Sequence, residues 1–285
     1  MKDLSEGAGP ALPYVLGHSD RELERLSAQA RLVEPATRAF FLEAGIVPGM
    51  RILDVGSGAG DVAFLATNLT GLDGSVVGVD RVPAAVATAR RRAQERSLGN
   101  VSFVDGDPAE MTFDEPFDAV VGRYVLLFQN DAARMLRRLA RHLRPGGLLV
   151  FHEPDWTFVR SVPRAPTYEQ CCRWIVEAGI RGGSNWNMGE KLRPTFVDAG
   201  FPDPTMRMRT FFGGGEAARE VLHAIAEIAI TLLPAMEKFG VATAAEVDVA
   251  TLADRMWQEV ARSNGVIIWR SEIAAWSRVR DGRDA

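Results

Sequence analysis

Between Arg51 and Asp155 the chain alternates short apolar runs with amphipathic stretches. The apolar runs predict strands at 51–55, 75–79, 101–104, 117–121 and 147–152, and the stretches between them predict helices at 60–70, 83–97 and 131–143. Val76, Val77, Val79, Val120 and Val121 stand in nearly continuous apolar runs instead of alternating with polar residues, as strands buried on both faces do. Repeated strand–helix units with right-handed crossovers give a parallel, doubly wound α/β sheet.

The flanks follow other rhythms. Ser19-Asp20-Arg21-Glu22 reads as a capping box, with Leu23, Leu26, Ala30 and Val33 following at helical spacing. A second short helix is expected from Pro35 to Gly45, turning Phe40 and Phe41 inward. After Pro154 the pattern predicts helices at 166–179 and 190–199 around a Gly/Asn/Trp-rich stretch, then a strand near 204–212. Val221, Leu222, Ile225, Ile228 and Leu232 stripe a further helix that Pro234 kinks or ends. Thr243-Ala244-Ala245-Glu246 caps another, striped by Leu252, Met256 and Val260. Gly265 to Val279 reads as a strand pair or hairpin, interrupted around Ser271-Glu272. Three parts result: a helical cap at 1–45, a ligand-binding core at 46–155, and lid helices with the closing strands of the same sheet at 156–285.

A length of 285 residues suits one large α/β domain carrying a lid. The formal charge of -4 offers no footprint for nucleic acid, and the arginines of 90–96 and 134–144 are read as solvated helix faces, His142 among them. No apolar run approaches the ~20 residues that span a membrane, and Met1 to Pro13 lacks the form of a signal peptide. The two cysteines, Cys171 and Cys172, are neighbours and read as packing residues, so a cytoplasmic monomer or homodimer is expected.

The chemistry concentrates in Asp54-Val55-Gly56-Ser57-Gly58-Ala59-Gly60, where a buried strand runs through three glycines directly into a helix. Glycines let backbone approach a ligand closely, and helix N-terminal amides face it. A dinucleotide fold would place a glycine at position 61, where this chain has Asp61. Asp80 ends the second strand, placed to accept both ribose hydroxyls of a nucleoside at the switch point of the sheet. The turn Asp105-Gly106-Asp107-Pro108-Ala109 after the third strand can meet an adenine amine.

Together with Phe117-Asp118-Ala119-Val120 and Leu143-Arg144-Pro145-Gly146-Gly147, these motifs resemble the class I S-adenosylmethionine (AdoMet)-dependent methyltransferases. The nearest group is that of ubiquinone/menaquinone C-methyltransferases, and the likeness covers residues 40–155. It implies a Rossmann-like seven-stranded sheet of order 3-2-1-4-5-7-6 with the last strand antiparallel. It also implies AdoMet as cofactor. Asp54, Gly56, Ser57, Gly58 and Gly60 would hold its methionine end, Asp80 the ribose, and Asp107 the adenine amine beside Pro108 and Ala109. Arg81 would pack on adenine and Arg123 would meet the cofactor carboxylate or the substrate, while Tyr14 and Gln29 resemble a cap closing over the cofactor.

Methyl transfer needs alignment, exclusion of water and, for a hydroxyl acceptor, a base. His152 and Glu153 are the candidate bases, and Tyr124, Trp156, Trp186 and His223 the candidate walls of an aromatic pocket. No metal is called for. The leading expectation is methylation of a small apolar or aromatic metabolite, of the kind met in secondary metabolism. The competing readings are a rearrangement or cyclisation on the same fold, and a non-catalytic AdoMet-binding regulator.

Overall fold

The computed structural model describes the backbone from residue 20 to 279 and side-chain surroundings from residue 31 onward. Helix α1 (Asp20–Ala44) precedes the alternation β1 (Arg51–Val55), α2 (Asp61–Thr70), β2 (Ser75–Asp80), α3 (Pro83–Glu95), β3 (Val101–Asp105), β4 (Phe117–Arg123), α4 (Ala132–Leu139) and β5 (Leu143–Asp155). Beyond it come β6 (Arg160–Val162), α5 (Pro166–Arg181), α6 (Met188–Asp198), β7 (Thr205–Gly213), α7 (Gly215–Lys238), α8 (Ala244–Val247), α9 (Leu252–Arg262) and β8 (Val266–Arg278).

β1 to β5 are parallel neighbours in the order 3-2-1-4-5, and β8 runs antiparallel to β5. β7 lies on the far side of β8, so the expected topology is present with one strand added. That addition is β6, which continues the line of β5 along β8: Asp155 pairs with Ser271 and Arg160 with Ile268. Helices α7 to α9 fall between β7 and β8 in the chain, the place expected for a lid insertion.

Apolar side chains fill both faces. Phe40 and Phe41 of α1 pack with Ile52, Val121, Val150 and Trp276 on one side, together with α2 and α3. Leu53, Val120, Leu149 and Phe151 join α4, α6 and the lid helices on the other.

Four local expectations are corrected. The two N-terminal helices are one, with Pro35 inside it. An interior proline loses a helix hydrogen bond at ~3 kcal/mol, but the buried stripe Val33, Thr37, Phe40, Phe41 and Ala44 continues across it and offsets the loss. Pro234 is likewise carried inside α7, where Leu232, Ala235 and Met236 remain buried around it. The helix capped by Thr243 is split, because Asp248 at φ 46 ends α8 before α9 begins.

The fourth correction is the C-terminal segment, which is one strand of 13 residues, not a hairpin. Ser271 and Glu272 are paired on both sides, with Asp155 and Pro154 of β5 and with Thr210 and Arg209 of β7. A bulge lies just before them, where Thr210 pairs with Ser271 and Phe212 with Ile268, so Phe211 alone faces both Trp269 and Arg270. The Thr210 hydroxyl lies 3.0 and 3.2 Å from the carbonyls of those two residues and fixes the bulge.

Phe40 is fully buried against the ring edge of His152, with centroids 5.0 Å apart. Phe40→Ala should lower the unfolding free energy by about 3–5 kcal/mol in urea titration. A change below about 1 kcal/mol would contradict the docking of α1 against β5.

Candidate cofactor and acceptor site

The chain crosses from β1 to α2 through Gly56, Gly58 and Gly60, all at positive φ (65°, 52° and 92°). A Cβ on Gly56 would stand 2.8 Å from Val125 Cγ2, so the segment after β4 closes tightly on this turn. A Cβ on Gly58 would enter open space. Asp54, at the end of β1, is buried with both carboxylate oxygens unpartnered, and the Ser57 hydroxyl is in the same state. Burial drives the Asp54 carboxyl well above the usual range, opposed mainly by the charge of Arg123.

Asp80 receives the Gly58 amide on Oδ2 at 2.8 Å and the Val82 amide on Oδ1 at 2.9 Å. This ties the end of β2 to the middle of the glycine turn. Asp107 accepts from Arg81 at 2.5 Å and from the Ala109 amide at 2.9 Å, so Arg81 is engaged as an ion-pair partner. Pro108 is held from behind by His142, whose Nε2 lies 2.8 Å from its carbonyl oxygen. His142 is therefore buried and not solvated, and desolvation lowers its pKa.

A buried polar chain runs from this region toward β8. Arg123 Nη1 reaches the Thr37 hydroxyl at 3.2 Å, and that hydroxyl lies 3.2 Å from His152 Nδ1. His152 Nε2 is 2.8 Å from Glu272 Oε2, which also accepts the Tyr124 hydroxyl at 2.7 Å. Arg270 closes the chain, donating through Nε to Glu272 Oε1 and through Nη2 to the Tyr124 hydroxyl, both at 2.8 Å. Burial lowers the pKa of His152 against the pull of Glu272. A neutral ring with Nε2–H facing the carboxylate then leaves Nδ1 to accept from Thr37. Glu272 is itself desolvated, yet Arg270 and its other donors bring its pKa down to about 2. Tyr124 sits at φ 59, a backbone state uncommon for a residue with a Cβ.

The three polar residues of the β5 end face different partners. Glu153 accepts the amides of Val125 and Leu126 on Oε1, at 3.0 and 2.8 Å, and that of Leu127 on Oε2 at 3.3 Å. It thereby holds the turn that presses Val125 on Gly56; burial pushes its carboxyl up to about 8 while the three amides oppose the shift. Asp155 receives the Glu190 amide at the start of α6, at 2.9 Å. Trp156 follows, its ring 5.9 Å from that of Trp186, with both rings buried. Arg270 lies over three aromatic rings, 4.5 Å from Trp269, 5.2 Å from Tyr124 and 5.4 Å from Trp156.

Thus Tyr124, Trp156 and Trp186 gather at one end of the sheet, while His223 is exposed on α7 apart from them. Tyr14 and the side chain of Gln29 lie outside the described residues. Thr37, Arg270 and Glu272 were not anticipated. For Arg270 and Glu272 the signal is two opposite charges two residues apart within an apolar run, the pattern of a paired charge buried on one strand face, while Thr37 carries none.

A methyltransferase domain family model matches residues 46–200. The chain belongs to this methyltransferase family. It is 32% identical over 167 residues to aklanonic acid methyltransferase DauC of Streptomyces sp. (strain C5), covering 54% of this chain and 76% of that one. It is 36% identical over 138 residues to 2-phytyl-1,4-naphtoquinone methyltransferase of Synechococcus elongatus, covering 46% and 57%, so it spans little more than half of that relative. Geranyl diphosphate C-methyltransferase from Streptomyces coelicolor superposes with a TM-score of 0.52 at 17% identity, over 96% of this chain and 90% of that one, which establishes the fold. The [4+2]-cyclase SpnF superposes at 0.51 with 23% identity, over 89% and 82%.

AdoMet is the cofactor of this family, and the residues fit it. Asp54 and Ser57 offer unpartnered polar atoms, Gly58 leaves room for a ligand against its backbone, and Asp80 and Asp107 carry acceptor oxygens at successive strand ends.

Asp80→Ala should weaken AdoMet binding by roughly 1.5–3 kcal/mol in calorimetry, and unchanged affinity in the folded variant would contradict the site. Gly58→Val should abolish binding, since its side chain would enter the open space left by the glycine.

Glu272→Gln leaves the Arg270 charge without its counter-ion and should cost about 3–5 kcal/mol at pH 7. The depressed pKa stabilises the fold above pH 4.5, and that stabilisation fades as pH falls toward about 2. The gap between variant and wild type in denaturant titrations should therefore shrink over that window. A gap independent of pH would show that the carboxylate charge has no part in it.

Proposed function

We propose that this protein transfers the methyl group of AdoMet to a small, apolar or aromatic metabolite bound beside Tyr124, Trp156 and Trp186. The observation that carries the reading is the junction at Gly56. There Val125, the neighbour of Tyr124 in the segment after β4, packs on the glycine turn, which supports an acceptor beside the methionine end of the cofactor site. Bound AdoMet supplies an electrophilic methyl group on a sulfonium, so in-line displacement needs no covalent intermediate on the protein.

The protein residues then have separate tasks. Asp54 and Ser57 hold the methionine end, Asp80 takes the ribose, and Asp107, kept in place by Arg81, takes the adenine amine beside Pro108 and Ala109. Arg123 sets the charge balance at Asp54. The aromatic rings and the lid helices exclude water and align the acceptor. His152 and Glu153 are positioning residues in this reading: His152 orients Glu272, and Glu153 shapes the turn that carries Val125. With no exposure and both ring nitrogens engaged, His152 does not reach an acceptor proton.

Methyl-labelled AdoMet incubated with the protein and a panel of aromatic metabolites should yield a labelled product. A product formed while all label stays on AdoMet would favour a rearrangement instead. In a productive pair, His152→Ala assayed while folded should reduce kcat by less than the ~10²–10⁴-fold of a lost base, and should keep the pH profile. Loss of one limb of that profile would restore His152 as the base.

A further inference from the structure

Three indole nitrogens, those of Trp156, Trp186 and Trp269, are buried without any hydrogen-bond partner. Unpaired buried donors are costly, so each calls for an explanation. Trp186 is set apart by its position: its Nε1 stands 1.9 Å from where a Cβ on Gly179 would be, so it faces α5. Trp156 and Trp269 differ, because both rings flank the Arg270 guanidinium. Arg270 is 2% exposed and donates through Nε and Nη2, while its Nη1 makes no hydrogen bond to a described residue. The bulge in β8 is what brings Trp269, Arg270 and Glu272 to a common side.

We propose that Arg270 Nη1 and the indole N–H groups of Trp156 and Trp269 form a donor-only subsite that binds a neutral carbonyl oxygen of the methyl acceptor. Guanidinium and indole nitrogens donate and cannot accept, so an amine or hydroxyl proton finds no partner here, whereas a ketone or ester oxygen does. Glu272 already balances the charge of Arg270, so a neutral oxygen leaves the pair intact and a carboxylate would add a second negative charge beside it. The flanking rings suit an aromatic body carrying that carbonyl. The location is right for an acceptor, since Arg270 bonds to Tyr124, whose neighbour Val125 presses on Gly56. This assignment rests on the methyltransferase reading and adds the substrate class: an aromatic carbonyl compound.

The test uses three matched probes, 2-acetylnaphthalene, 2-naphthoate and 2-ethylnaphthalene, titrated calorimetrically into the protein saturated with S-adenosylhomocysteine. Failure of S-adenosylhomocysteine to bind would sink the underlying reading; the probe comparison judges only the subsite. The ketone should bind about 10-fold tighter than the hydrocarbon, as one or two hydrogen bonds allow. Trp156→Phe and Trp269→Phe, which keep a ring and delete the N–H, should each lose roughly 3–10-fold of that preference. S-adenosylhomocysteine affinity should not change in either. In ¹⁵N-labelled wild type, the two indole N–H resonances should move downfield with the ketone and stay put with the hydrocarbon. Equal or undetectable binding of all three probes overturns the proposal, and the wild-type comparison decides it even if a variant fails to fold. Tighter binding of the naphthoate than of the ketone overturns the neutral-carbonyl assignment.

Discussion

Glu272 is a carboxylate buried among strand ends, and it stays ionised there because three donors converge on it: His152, Tyr124 and Arg270. A charge in so dry a place is tolerable only when every partner is held in position. Each partner comes from a different element, β5, the segment after β4, and β8 itself. Through His152 and Thr37 the constraint extends into α1, and through Arg123 it reaches the surroundings of Asp54. Arg270 and Glu272, two residues apart on β8, share a strand face and so pair directly, and the bulge at Trp269 and Arg270 brings the Trp269 ring to the same guanidinium.

The same network links the two halves of the proposed site. On the cofactor side the requirements are set by backbone: three positive-φ glycines, a carboxylate ending β2 that accepts the Gly58 amide, and a turn held by Glu153. On the proposed acceptor side they are set by side chains, with aromatic rings around one buried cation. Tyr124 belongs to both, and its positive φ is the backbone conformation at the point where they meet.

The sheet was legible because its strands are apolar and its turns are punctuated by glycine and acid, and the glycine turn with Asp80 and Asp107 was legible for the same local reason. Strand ends bring local motifs together in register without needing long-range information. The polar chain was not legible, since Thr37, His152 and Glu272 are separated by over a hundred residues at each step. A histidine and two acids at the end of β5 read as chemistry from sequence, yet their partners are Glu272, turn amides and the start of α6. The Ser271-Glu272 break misread as a hairpin shows the same limit: a buried charge looks like a loop until its counter-ion is seen. Pro35 and Pro234 misled for a different reason, because burial of an apolar stripe outweighs local helix propensity.

The most direct test of the account is a crystal structure of the protein with S-adenosylhomocysteine. The account predicts ribose hydroxyls on Asp80, the homocysteine end beside Asp54 and Ser57, and adenine near Asp107 and Pro108, with the sulfur facing the Tyr124 side of the glycine turn. A nucleoside bound elsewhere, or one leaving the Asp54 and Asp80 carboxylates untouched, would contradict it.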